Sequence, residues 1–311
     1  MEKSNSPEII AIGELLIDLI STEYADDFQS ADRYQRLPGG SPANLAMNLA
    51  KLGRDVGLIA TVGQDDAGDL LVDAVRDAGV STDGIARAAA PTTLILVTRS
   101  RAVSNFEPYR LADRLITRAQ FERLSFKSAK VLHTTAFALS EEPARSVILG
   151  AMQEGAVAGA RLSVDFNYAD KLWADDRAAG LAALTKIAGA GGMVKVSEVD
   201  FERLFGEPVT APANAAHRIL KLGASLVCLT LGEEGCHILT HEESFHLPAR
   251  PVDVVDTTGA GDAFWSGFLA AYLADKNLRD CALAGRAMAE RKLTRVGPVT
   301  ESLTVEDLLA D

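Results

Sequence analysis

The chain has 311 residues, 48% of them hydrophobic, enough to bury a large core in one large or two smaller domains. Its formal charge of −12 and isoelectric point near 5.0 argue against nucleic acid or an anionic membrane as partner, since both are held mainly by Lys and Arg. Cys228, Cys236 and Cys281 form no C-x-x-C pair, no stretch approaches the ~20 apolar residues of a bilayer span, and the polar N-terminus lacks a signal-peptide core; the chain reads as a cytoplasmic protein with core thiols.

Residues 8–13 predict a buried strand, followed by residues 14–20, where Asp18 interrupts an aliphatic run. Asp18 reads either as a strand-edge carboxylate facing solvent or as a hydrogen-bond acceptor for a polyol. The stretch Gly39-Gly40-Ser41-Pro42-Ala43-Asn44 opens a helix with Ser41 at the N-cap, Pro42 at the first helical position and Gly53 as the stop. Leu45, Leu49 and Leu52 give that helix its buried face. Asn44 is either a local capping partner or an amide aimed into a cleft beside the two glycines.

A strand over 56–63 and a helix over 66–78 continue the alternation. Residues 92–98 and 102–110 then read as two strands with little helix between them, which suggests a small antiparallel flap on the main sheet. From residue 131 strands (131–136, 161–166, 192–196, 226–231) alternate with helices (142–158, 174–188 and further material). This pattern implies a largely parallel sheet covered on both faces, with ligands at the carboxyl ends of the strands. Asp165-Phe166-Asn167, Lys195-Val196-Ser197 and Thr230-Leu231-Gly232 lie at such ends. His237, His241 and His246 fall in a predicted hairpin around Glu242 and Glu243, where alternation keeps them from sharing one face as a metal site. Neither a P-loop nor a G-x-G-x-x-G fingerprint occurs.

The stretch Asp256-Thr257-Thr258-Gly259-Ala260-Gly261-Asp262 runs into a helix whose Phe264, Phe268 and Tyr272 read as one buried face. A glycine turn ending on a helix N-terminus presents free amides and partial positive charge, which suits an anion. Asp262 either favours the helix dipole or takes the proton of a hydroxyl attacking phosphorus.

The early Gly39–Asn44 and late Asp256–Asp262 signatures together resemble the ribokinase (PfkB) family of sugar kinases, and the resemblance runs from about residue 10 to about residue 300, including residues 62–68 and 230–235. It implies a single PfkB-type kinase domain over 1–311: a doubly wound α/β fold, its largely parallel sheet flanked by helices, with a small β lid from about 14–37 and 90–112. The resemblance makes Asp262 the general base and the amides of Gly259, Ala260 and Gly261 an anion hole. It assigns Asp18, Gly39, Gly40, Asn44, Tyr109, Arg110, Asp165 and Asn167 to the sugar. Lys195, Ser197, Thr230, Gly232, Gly235 and Thr257, with Gly259 and Gly261, fall to ATP. Mg²⁺ would bridge the phosphates, Asp200 would act on it indirectly, and Asp256 and Thr258 lie where some members bind a monovalent cation such as K⁺.

Within the family, Phe106 to Asp113 and Ser197 to Asp200 look most like bacterial and plant fructokinases, which implies D-fructose going to fructose 6-phosphate. A 2-keto-3-deoxygluconate kinase shares the Tyr-Arg pair, but Ala169 stands where both groups commonly carry Arg, which favours a neutral sugar. Ribokinase and nucleoside kinase are more distant alternatives. Two departures are the family's N-x-x-E motif, here Ser197-x-x-Asp200, and the charged Glu290-Arg291-Lys292 in a helix that is usually more apolar. They keep a catalytically silent sugar-binding regulator as the alternative of another class. Family lids often pair between subunits, so a homodimer through the lid is expected.

Overall fold

The computed structural model describes residues 6–25, 27–99, 105–295 and 297–310. Among them the strands, in chain order, are β1 (Ile9–Ile12), β2 (Leu16–Ser21), β3 (Tyr34–Gly39), β4 (Val56–Gly63), β5 (Ile85–Ala88), β6 (Leu94–Thr98), β7 (Asn105–Tyr109), β8 (Val131–Thr135), β9 (Arg161–Asp165), β10 (Met193–Ser197), β11 (Leu226–Thr230), β12 (Cys236–Leu239) and β13 (Ser244–Leu247). The helices are α1 (Ser41–Lys51), α2 (Asp66–Asp77), α3 (Arg118–Arg123), α4 (Ala144–Val157), α5 (Arg177–Gly189), α6 (Glu198–Phe205), α7 (Pro212–Leu220), α8 (Ala260–Tyr272), α9 (Leu278–Leu293) and α10 (Val305–Ala310).

The large sheet has the order β13-β12-β11-β10-β9-β8-β1-β4-β5. It is parallel from β11 to β5, and the β12–β13 hairpin adds an antiparallel edge. Its strands β1, β4 and β8 are buried along their whole length, which is why β1 and β4 read as near-continuous apolar runs without alternation, while β8 buries His133, Thr134 and Thr135 as well. Two apolar clusters, one built around β8–β9–α4 and one around α1–α8–α9, fill the space between sheet and helices. The fold is thus the expected doubly wound α/β architecture.

A second sheet, ordered β3-β2-β6-β7, pairs β2 with β6 in parallel and both outer strands antiparallel. It corresponds to the flap expected from residues 92–110, and the expected strand start at Ala102–Ser104 lies outside the described residues. Asp18 is on β2, between β3 and β6, so the strand-edge reading of this residue is corrected.

Three further expectations change. First, the N-cap of α1 is Gly40, not Ser41, and Ser41 is the first helical residue. Gly40 adopts φ 102°, and a Cβ there would meet the Glu14 carbonyl oxygen at 2.3 Å, so only glycine fits. The Ser41 amide is satisfied from a distance by Glu14 Oε1 at 3.0 Å, which leaves the Ser41 hydroxyl free of capping duty. Second, α8 is buried continuously from Asp262 to Ala271 rather than along one face, because α1 and α9 enclose it. Gly267 lets α8 close on α9: a Cβ there would lie 2.5 Å from the Ala284 carbonyl oxygen. Third, α5 starts at Arg177 under an Asp176 cap, since residues 170–175 form turns with Ala174 and Asp175 at positive φ.

Candidate active site at the N-terminus of α8

Gly259, at φ 74°, caps α8 and turns the loop so that Asp262 stands in the first helical turn. The Asp262 carboxylate is 9% exposed. Ser41 Oγ donates to its Oδ1 at 2.6 Å and Asn44 Nδ2 to its Oδ2 at 2.9 Å. The amide of Asn44 therefore serves the distant carboxylate rather than a local cap. Burial, helped by the charge of Asp165, pushes Asp262 up to about 6, while the Ser41 and Asn44 hydrogen bonds and the Lys195 charge pull the other way. Such a carboxyl is ionised at neutral pH yet basic enough to accept a proton.

Asp165 and Lys195, at the carboxyl ends of the adjacent parallel strands β9 and β10, form a buried ion pair with Lys195 Nζ 2.6 Å from Asp165 Oδ2. Burial opposes the lysine charge, but Asp165 outweighs it and the ammonium is held above its usual range. That ammonium lies against the loop: a Cβ at Gly261 would come within 3.0 Å of Lys195 Nζ. Asp165 Oδ1 is buried without a hydrogen-bond partner among the described residues.

Ser197 ends β10 and caps α6, accepting from the Asp200 amide at 3.1 Å and bonding the Asp200 carboxylate in return. The altered N-x-x-E motif is therefore a closed capping pair. Burial raises Asp200 to about 6.

Two cavities meet at this loop. A larger one of about 1010 Å³ is lined by Ser41, Asp165, Asn167, Lys195, Ser197, Asp200, Thr230, Gly232, Gly235, Thr257, Gly259, Ala260, Gly261 and Asp262, with an apolar wall that includes Val252, Val254, Ala289 and Leu293. A smaller one of about 280 Å³ is lined by Asp18, Asn44, Asp256, Thr258 and Gly259, among others. Gly259 belongs to both walls. Most of the residues expected from sequence thus converge on one place, on opposite sides of the α8 N-terminus.

Details within the group differ. Gly39 makes room for Asp18, since a Cβ there would stand 2.1 Å from Asp18 Oδ2. Burial, then the Asp262 charge, pushes Asp18 up to about 7. Gly235 at φ 95° is forced by close approach to the Leu247 carbonyl oxygen. Asn167 Oδ1 accepts from the Phe137 amide at 3.1 Å. The Ala260 amide donates to Thr257 O at 3.2 Å, so it is turned into its own loop. Tyr109 is 54% exposed on β7, and neither Tyr109 nor Arg110 lines either cavity. Arg110 instead pairs with buried Asp113, donates to Phe137 O and Ser140 Oγ, and lies over the Phe137 ring. Asp256 Oδ1 accepts from the Thr258 amide at 3.0 Å and its Oδ2 is 3.2 Å from Lys292 Nζ.

The sequence reading missed the Ser41 hydroxyl and buried Glu14, and it named Lys292 only as a departure from the family pattern, without its Asp256 partner. Glu14 receives the Ser41 amide and the Thr135 hydroxyl, and burial pushes it up to about 8. Glu290, flagged as out of place, pairs with Arg250 and Arg286 at the wall of the larger cavity. His237 and His246 stand opposite each other in the β12–β13 register and bond Ser244 Oγ and Glu234 O. Among the described residues no helix is long and apolar enough to cross a membrane.

Residues 6–304 match the family described as pfkB family carbohydrate kinase. The chain is 33% identical over 294 residues to an ATP-dependent 6-phosphofructokinase of Thermoanaerobacterium thermosaccharolyticum, covering 94% of this chain and 90% of that one. It is 35% identical over 265 residues to fructokinase-1 of Oryza sativa subsp. japonica, covering 84% and 81%. The crystal structure of a fructokinase from Xylella fastidiosa with bound ATP superposes with a TM-score of 0.81 at 28% identity, over 97% of both chains. A carboxylate at a helix N-terminus on the wall of a large cavity, on a chain matched along nearly its whole length, leads to one conclusion: this protein belongs to the pfkB family of carbohydrate kinases and is a phosphotransferase acting on a sugar hydroxyl.

Proposed function

We propose that the protein transfers the γ-phosphoryl group of Mg·ATP to a hydroxyl of a neutral sugar, D-fructose at C6. The observation that carries this reading is Asp262, at the wall of the larger cavity, raised to about 6 and held on both oxygens, one of them by Asn44 of the smaller cavity. The sugar occupies the smaller cavity against Asp18 and Asn44, and ATP the larger one, its base against the apolar wall. Asp262 takes the proton of the attacking hydroxyl, which displaces Ser41 from Oδ1 as oxygen bonds to the γ-phosphorus and ADP departs. The amides of Gly259 and Gly261 and the Lys195 ammonium stabilise the transferring group.

The oxygen donors fit a magnesium ion: Asp165 Oδ1 lacks a partner and Asp200 lines the same wall. When bound, Mg²⁺ neutralises phosphate charge during transfer. The smaller sheet, carrying Asp18, acts as the lid that excludes water.

A neutral acceptor is favoured over a sugar acid or sugar phosphate because the smaller cavity carries Asp18, Asp77 and Asp256 against Lys51 and Lys292, and Lys292 is already paired. The test is ADP release with fructose, fructose 6-phosphate, 2-keto-3-deoxygluconate, ribose and adenosine. Fructose is expected to be the best acceptor by kcat/KM. Preference for fructose 6-phosphate or the keto acid would overturn the neutral-sugar reading. Silence on all five would favour a binding protein without turnover.

A further inference from the structure

Lys292 lies in the last turn of α9, with its side chain only 9% exposed. Its Nζ is 3.2 Å from Asp256 Oδ2 and 3.3 Å from the Arg295 carbonyl oxygen. Around it two negative features face each other. One is the carboxylate of Asp256; the other is the C-terminal end of α9, whose carbonyls carry the negative pole of the helix. The loop is drawn onto that end, because the amides of Val255 and Asp256 both donate to Leu293 O, at 2.8 and 3.3 Å. Without a cation between them, a half-buried carboxylate would face the negative pole of the helix with its repulsion uncompensated.

What the cation holds in place is the start of the transfer loop. Asp256 Oδ1 accepts the Thr258 amide, and the next residue is Gly259, the N-cap of α8. A Cβ on Gly259 would lie 3.7 Å from Lys292 Cε and 3.8 Å from Asp262 Oδ2, so lysine, loop and base are in one packed layer. Burial works against the Asp256 charge, yet the Thr258 and Lys292 contacts hold its carboxyl below the usual range.

We infer that Lys292 is a positioning residue for phosphoryl transfer, a cation tethered to α9 that clamps the Asp256–Gly259 segment and so sets the aim of the α8 N-terminus. The clamp rests on the phosphotransferase reading of this loop and adds a residue 36 positions away in sequence. Because the ammonium is covalently attached, the wild-type loop needs no small cation from solution.

The inference is tested by turnover in buffers whose sole monovalent cation is tetramethylammonium, too large to enter, with K⁺ or NH₄⁺ then added. Wild-type kcat is expected to change by less than about 2-fold on addition. A loop displaced by about 1 Å costs about 100-fold, so Lys292→Ala and Lys292→Met are expected to lose at least ~10-fold in kcat, a larger effect than on sugar KM. Lys292→Ala, which opens room at the clamp, is expected to regain much of its kcat with NH₄⁺ or K⁺. Lys292→Met keeps the apolar stem and is expected to regain less. Circular dichroism and thermal melts identify the folded variants. Near-wild-type kcat in folded Lys292→Met, or a loss in folded Lys292→Ala that no small cation relieves, overturns the clamp. A wild type silent on every acceptor would overturn the clamp and the phosphotransferase reading together, and is recognised because the unmutated protein itself fails.

Discussion

The Asp18 carboxylate lies directly against Gly39, where a Cβ would come within 2.1 Å of Oδ2. The contact joins β2 to the residue that leads into α1, through the register pair Leu16 with Gly39. Gly39→Ala is therefore expected to move Asp18 without touching Asp262. A hydrogen bond to a charged group contributes about 1.5–3 kcal/mol, so acceptor KM should rise at least ~10-fold. The KM for ATP should stay within about 2-fold. Equal loss on both substrates would place Asp18 outside the acceptor site.

Protonation of the base gives a second prediction. With Asp262 raised to about 6, kcat/KM should fall below about pH 6 and level off above it, with Asp18, raised to about 7, broadening the limb. The stability effect has the opposite sense. A carboxyl raised by folding binds its proton more tightly in the native state, so stability is lost as pH climbs from about 4 toward the folded value. Asp262→Asn should accordingly melt above wild type at pH 8 and near it at pH 4, as thermal scans at the two pH values would show. A lower melting temperature at pH 8 would contradict the burial account of Asp262.

Arg110 supplies a third. Its guanidinium is committed to Asp113, with both side chains almost wholly buried, and to Phe137 O and Ser140 Oγ. Removing one member of a buried pair costs about 3–5 kcal/mol, whereas replacing both by apolar groups is often neutral. Arg110→Met should lower the denaturation free energy by about that amount, and adding Asp113→Leu should restore most of it. A large rise in sugar KM in an Arg110→Met protein of unchanged stability would return Arg110 to the substrate.

The parts of the site that lie within one local signature were legible from sequence. Gly259, Ala260, Gly261 and Asp262 carry their own geometry, a glycine turn at a helix start, and the structure keeps it. Asp165, Lys195 and Thr230 were placed because parallel strands end on one edge of the sheet. Groups whose role depends on a distant partner were not. Ser41 follows a glycine whose conformation is imposed by the Glu14 backbone, which shifts the cap by one residue and hands its hydroxyl to a carboxylate 221 positions away. Arg110 is locked by a fold-level contact with Phe137 and Ser140 that no local pattern encodes. Lys292 looked out of place in an apolar helix face because its counter-charge, Asp256, lies on another segment. The all-round burial of α8 likewise follows from helices packed on either side of it, not from its own periodicity.

The most direct test of the central claim is kcat of Asp262→Asn at pH 8 on the best acceptor, with both substrates saturating. A general base is worth about 10²- to 10⁴-fold, so kcat should drop at least ~100-fold while both KM values stay within about 3-fold. Turnover within a few-fold of wild type would contradict the assignment of Asp262 as the base.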